Sequence, residues 1–177
     1  MPRRIHPTRE DHAIAALASL AVVIHIAEAA VPSPLPGVRP GLANVVVLAV
    51  LLIHGWRAAV WVALLRVVAG GLLLGTFLSP TFMLSLTGAL VALAALWLGQ
   101  RLPGIGPVGL SVLASLAHTS GQFLLAWAWL VPHPGLLALL PVLLAAALGL
   151  GILNGILTAG LVRALGAGGT RAGMAER

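Results

Sequence analysis

The stretch LANVVVLAVLLI, Leu42 to Ile53, is an apolar run whose passage through or exclusion from a bilayer decides the topology of everything after it. A helix needs about 20 residues to cross a ~30 Å hydrocarbon core, so on length alone this run is too short. Five further apolar runs flank it, punctuated by Gly, Pro and Arg: Ala13 to Val31, Ala58 to Leu78, Phe82 to Leu98, Val108 to Val131 and Leu136 to Val162. Of these the Phe82 run is marginal in length and the other four are comfortable.

The arginines settle the question, because short cytoplasmic loops carry the excess of basic residues. If all six runs cross, Arg3, Arg4, Arg9, Arg57, Arg101, Arg163, Arg171 and Arg177 share one side, Arg39 lies outside and Arg66 lies within the membrane. If the Leu42 run fails to cross, Arg57, Arg101 and the C-terminal arginines move outside, and the rule is broken. Tryptophans, which favour the headgroup level, agree: Trp56, Trp61 and Trp97 fall toward the inner boundary, Trp127 and Trp129 toward the outer one. The expected fold is therefore all-α, an integral membrane bundle of six transmembrane helices, multi-pass in the cell membrane, with N and C termini cytoplasmic.

Composition gives the same class. The chain is 60% hydrophobic and 8% charged, against about 25% charged in soluble domains, with a mean hydropathy of +1.08. Its basicity comes from scattered single arginines rather than a binding stripe, so nucleic acid is not an expected partner and membrane lipid is. With no cysteine, disulfides, thiolate chemistry and Cys-ligated metals are excluded. Residues 1–12 are read as a cytoplasmic N-terminal segment, 13–162 as the membrane domain and 163–177 as a flexible Gly- and Arg-rich cytoplasmic tail. Ala27-Glu28-Ala29 after the first run has the form of a signal-peptide cleavage site, but removal would spoil the arginine parity, and an uncleaved first span is expected. VPSPLPGVRPG, Val31 to Gly41, holds four prolines and is expected to be a stiff external connector, with Pro40 suited to the first helical turn.

Polar groups inside a bilayer are expensive and each needs a reason. Arg66 lies nine residues beyond Arg57, about 13 Å along a helix axis, which is too deep to snorkel easily. It should face the bundle interior, either as a ligand-binding cation or as a structural arginine held by carbonyls and amides. His118 and Gln122 project from one helix face, and the row Ser111, Ser115, Thr119 runs beside them. Asn44 and His25 belong to the same outer half of the membrane. Interhelical hydrogen bonding explains any one of these residues alone. Convergence of His25, Asn44, Arg66, His118 and Gln122 at similar depth points to an externally accessible ligand-binding pocket. Glu28 is assigned instead to the interface, pairing with Arg39, and His54 to the inner boundary. Ala147, Gly151, Gly155 and Ala159, and Gly71 with Gly75, are read as small-residue packing stripes, and Asn154 as a helix–helix hydrogen bonder.

The combination of RPGLAN (Arg39 to Asn44), Arg66 followed by Gly70, SLTG (Ser85 to Gly88), GPVGLS (Gly106 to Ser111) and AHTSGQ (Ala117 to Gln122) resembles the membrane proteins labelled heptaprenyl diphosphate synthase component I, also called the Gx transporter family. The resemblance covers roughly Ala13 to Val162. That family is similar in fold to the S components of energy-coupling-factor transporters, six-helix bundles with an externally facing pocket. The resemblance implies a subunit that binds a small-molecule substrate, with Arg66 suited to an anionic one, and docks a coupling transmembrane subunit and ATPases. S components commonly carry an AxxxA docking pattern on the first helix, which only Ala15 and Ser19 approximate here.

Three functional classes follow. In the first, the chain is a solute-binding subunit with no motor of its own: there is no Walker motif, and no lysine to complete one. In the second, it is a non-catalytic accessory component of polyprenyl diphosphate synthesis. Catalysis itself requires paired acids on Mg²⁺, and the membrane body offers only Glu28, so the chain is not expected to be an enzyme. In the third, it belongs to a membrane redox assembly. Two histidines are weak haem evidence, and Thr87-Gly88-Ala89 lacks the hydroxyl residue of a flavin-attachment site because Leu90 follows, so no cofactor and no metal is expected.

Overall fold

A computed structural model describes the backbone of residues 9–30 and 41–175, with side chains over 11–30 and 41–165. Among the described residues the fold is all helical: α1 (Arg9–Ala30), α2 (Leu42–His54), α3 (Trp56–Leu73), α4 (Pro80–Gly99), α5 (Pro107–Leu125) and α6 (Leu140–Ala175). A π-helical turn, Ala126–Leu130, ends α5, and a 3₁₀ turn, Pro134–Leu139, leads into α6. Five helices are long and apolar enough to cross a membrane and α2 is a shorter apolar sixth, so the chain is a multi-pass membrane bundle. The proline connector, Arg39 and Pro40 lie outside the described residues. So do the side chains of the expected tail from Gly166 on, where the backbone continues α6 to Ala175.

The short run turns out to be the centre of the bundle. Val46, Val47, Leu48, Ala49, Val50 and Leu51 are all buried, so more than a full turn of α2 is enclosed on every side. A helix that is apolar all round belongs in a core. α1, α3, α5 and α6 all pack against it. At 13 residues it spans about 20 Å, and because protein rather than lipid surrounds its middle, it need not match the full hydrocarbon thickness.

The packing logic is that of lipid rather than water. The main core is built from Ala18 and Ala21 of α1, the valines of α2, Ala58, Ala59, Val62 and Ala63 of α3, and a few leucines of α4 and α5. Bulky side chains such as Leu72, Leu73, Leu98, Leu124, Ile156 and Leu157 point outward. Hydrocarbon tails solvate leucine as well as a protein core does, so small residues that let backbones approach are what the interior selects. The expected stripe on α6 does this: a Cβ at Gly155 would lie 2.6 Å from Val108 Cα and one at Gly151 2.9 Å from Val112 Cα, both on α5. Ser115 Oγ donates to Ala147 O at 2.8 Å across the same seam.

The expected pairing of Gly71 with Gly75 needs correction. Gly71 does pack, against Phe82 of α4, but a Cβ at Gly75 would meet nothing within 4 Å. Instead Gly75 sits at φ 68°, and the bonds Gly75 N–H to Leu72 O and Thr76 N–H to Gly71 O close a Schellman motif that ends α3. The third span therefore stops at Leu73 rather than at Leu78. α4 then begins on Ser79, whose Oγ accepts from Phe82 N–H, with Pro80 in its first turn.

Between α2 and α3 the chain turns on one residue, Gly55, at φ 84° and ψ −175°. This region is essentially restricted to glycine. It makes α2 and α3 a tight hairpin, with consequences for the two polar residues it carries.

Candidate functional site

Asn44 lies eleven residues before Gly55 and Arg66 eleven after it. A helical hairpin folded at that glycine brings the two to one level, and there Arg66 Nη1 donates to Asn44 Oδ1 at 2.8 Å. Arg66 is 5% exposed, so it faces the bundle interior and not the acyl chains. Its Nε is buried and has no hydrogen-bond partner among the described residues. An arginine offers five N–H donors in a fixed fork; the protein supplies an acceptor to few of them.

On α5, the amide nitrogen of Gln122 lies 3.0 Å from His118 Nε2, which pairs them when the imidazole carries its proton on Nδ1. Their one-turn spacing makes the contact, and Gly88 of α4 makes room for it. A Cβ at Gly88 would lie 2.8 Å from both His118 Cε1 and Gln122 Cγ, so the glycine of the SLTG motif is where α4 closes over this pair. On α1, the ring of His25 lies against Gly70, one turn beyond Arg66: a Cβ there would be 2.6 Å from His25 Cδ2.

These five residues line a common cavity of about 170 Å³ to which all six helices contribute. The contributions alternate. α1, α3 and α5 supply residues from their C-terminal halves (His25, Arg66, His118), while α2, α4 and α6 supply residues from their N-terminal halves (Asn44, Ser85, Ala147). Successive helices therefore run in opposite directions, and the cavity lies toward the end of the bundle where α1, α3 and α5 finish.

Two residues that the sequence placed elsewhere also line it. Glu28, one turn beyond His25, is buried, and its Oε1 accepts from Leu42 N–H at the start of α2. The first N–H groups of a helix are orphans and its N-terminus carries partial positive charge, so an acid here ties α1 to α2. The expected partner Arg39 lies outside the described residues. Asn154 reaches from α6 toward Gly41 O, 3.4 Å away, joining α6 to the same helix start, as its expected bonding role requires, while also facing the cavity. The sequence signal that groups Glu28 with the cavity is its i, i+3 spacing from His25.

At the opposite end, Arg101 stacks on Trp97, 3.3 Å from the ring centroid, where α4 ends. Among the described residues no three His, Asp or Glu side chains come together as a metal site.

Residues 17–161, from α1 into α6, match the family described as Heptaprenyl diphosphate synthase component I. The chain belongs to that family. Each of the five expected ligand residues, and Glu28 and Asn154, falls inside the matched region. No curated protein and no solved structure matches the chain.

Proposed function

We propose that this family member is a solute-binding subunit of the cell membrane, not an enzyme, which captures a small molecule in the Arg66 cavity and relies on separate proteins for energy. The observation that carries this reading is the buried Arg66 guanidinium, tethered by Asn44 on one side and turned toward a space shared with His25, His118 and Gln122. Burying a charge without a full set of acceptors is costly, and a bound acceptor offsets that cost. A concave site with a few convergent polar groups in an apolar frame is the usual form of a small-molecule site. The resemblance to S components supports the same role.

Orientation follows from charge. Arg57, Arg101 and Arg163 lie toward the end of the bundle remote from the cavity. With basic residues inside, the cavity opens toward the exterior, all six helices cross, and both termini are cytoplasmic. Because the chain has no cysteine, single substitutions report this cleanly. His133→Cys, before the 3₁₀ turn, should react with a membrane-impermeant maleimide in intact cells, and Leu102→Cys, after α4, only once the cells are permeabilised. The opposite pattern would place the cavity on the cytoplasmic side.

The family's description favours a second reading, an accessory role in polyprenyl diphosphate synthesis. Native mass spectrometry of the detergent-purified protein separates the two. A retained small molecule, or co-purifying coupling and ATPase subunits, is expected; a prenyl synthase subunit retained with neither of these would overturn the binding-subunit reading.

A further inference from the structure

Two groups of opposite charge line the cavity, and each is held by a different neutral partner. Arg66 Nη1 donates to Asn44 Oδ1, and Glu28 Oε1 accepts from Leu42 N–H. Both tethers end on the first turn of α2, two residues apart, which is about 3 Å along the helix axis. Both side chains are buried, so their charges are withdrawn from bulk solvent. Neither tether neutralises the charge it holds, since Asn44 offers an amide and Leu42 a peptide N–H. A guanidinium keeps its proton throughout the physiological range. A carboxyl that accepts from the start of a helix is favoured as its anion. Each group also has capacity to spare. Arg66 Nε is buried with no hydrogen-bond partner among the described residues, and the Leu42 bond occupies one of the two Glu28 oxygens.

We propose that the occupant is a small zwitterion, a molecule carrying both a carboxylate and an amine, with its carboxylate on Arg66 and its ammonium group on Glu28. This rests on the binding-subunit reading and names the substrate class of that site. A carboxylate matches the planar fork of a guanidinium. An ammonium group donates up to three hydrogen bonds and has no acceptor of its own, so it needs an oxygen-rich anion. Among the described residues lining the cavity, Glu28 is the only carboxylate. A ligand with one charge fits less well whatever the state of the two histidines. A simple anion gains Arg66 but brings its charge toward Glu28, and a simple amine meets the reverse difficulty. Taking two ligand charges out of water is costly, and that cost is offset only where each meets an opposite partner. Space is sufficient. A cavity of about 150 Å³ holds a benzene ring, and this one has about 170 Å³. It shares His25, Val67, Thr81 and Ser85 with a neighbouring cavity of about 210 Å³, where Thr76 faces Leu74 and Phe82 in walls of mixed polarity. The remainder of the ligand has room there.

The test uses the full chain in lipid nanodiscs, with empty nanodiscs as the control. The probes share one carbon count: 2-aminobutanoate, 4-aminobutanoate, butanoate and butylamine, with binding measured by calorimetry. The better-bound aminobutanoate should exceed both butanoate and butylamine about tenfold or more, the usual contribution of one hydrogen bond to a charged group. Which of the two it is reports the spacing of the charges. Glu28→Gln keeps an oxygen for Leu42 N–H but removes the negative charge, and should bring the ratio of aminobutanoate to butanoate affinity close to one. An unchanged ratio in that variant would overturn Glu28 as the ammonium partner. Should the variant disturb folding, the comparison of probes on the wild-type protein still decides. Butanoate or butylamine binding as tightly as both aminobutanoates would overturn the zwitterion and leave the binding-subunit reading standing. Absence of binding by every probe would overturn this ligand class, whereas a small molecule of other chemistry retained in the native mass spectrum would still support the binding-subunit reading.

Discussion

Arg66→Met should abolish solute binding while leaving the bundle as stable as before or more so. Loss of a desolvated, charge-assisted contact costs about 2–5 kcal/mol of binding, so affinity for a bound anion should fall about thirtyfold to several thousandfold. Stability moves differently. The native state holds Arg66 5% exposed with Nε unpartnered among the described residues, whereas the chain denatured in detergent returns the guanidinium to water. Replacing a buried charge together with its partner by similarly shaped apolar side chains is often neutral or gains about 1–4 kcal/mol. Against that, Asn44 Oδ1 loses its donor, at about 1–3 kcal/mol. The two nearly cancel in the single variant. In Arg66→Met/Asn44→Leu, which removes both partners, the gain should emerge as a raised unfolding temperature. Arg66→Lys keeps the charge but not the fork, and should retain the fold with weakened binding. Thermal unfolding in detergent beside calorimetric binding reads both quantities. A strictly structural arginine gives the reverse pattern: Arg66→Met would unfold the protein, and the double variant would not restore it.

This separation of stability from binding bears on which features the sequence revealed. The depth of Arg66 was legible because an arginine far from either boundary has few places to go, and the bundle interior is where it lies. His118 and Gln122 were legible because they stand one turn apart on a single helix, where spacing alone fixes their relation. The alignment of Asn44 with Arg66 was present in the sequence as equal distances from Gly55, but only if that glycine is taken as the hinge of a hairpin. The place of Glu28 on the cavity was not legible, because local charge pointed only to Arg39, which lies outside the described residues. The structure gives Glu28 a backbone partner, Leu42 N–H, and backbone donors carry no mark in a sequence. The same reason explains the end of α3. Hydropathy continues through Leu74 and Leu78, so the apolar run outlasts the helix, and what terminates it is the hydrogen bonding around Gly75. The centrality of α2 was hidden by its length. Short apolar helices look insufficient against lipid, and adequacy here depends on neighbours that enclose it.

The seam between α5 and α6 supplies the second large effect. Gly155→Ala should destabilise the protein by about 2 kcal/mol, while Gly149→Ala, on the same helix, should be neutral or stabilising. At Gly155 the new methyl would lie 2.6 Å from Val108 Cα and 3.1 Å from Ser111 Cβ. The first of these is backbone, which cannot rotate away, so relief requires α5 to move off α6. Overpacking of this kind costs about 1–3 kcal/mol. The displacement also strains the Ser115–Ala147 bond on the same seam, and interhelical bonds in membranes contribute about 0.6 kcal/mol each. At Gly149 nothing lies within 4 Å of an added Cβ, and replacing glycine by alanine in a helix gains up to about 1 kcal/mol from backbone entropy alone. The same substitution thus changes sign between two glycines of one helix, which separates packing from propensity in a single pair of unfolding curves. The effect should extend to binding, because the helix that must move carries His118 and Gln122 to the cavity. If Gly155→Ala unfolds at the same temperature as Gly149→Ala, α5 and α6 do not approach as closely as their glycines allow, and the alignment of His118 with Arg66 must be held by some other contact.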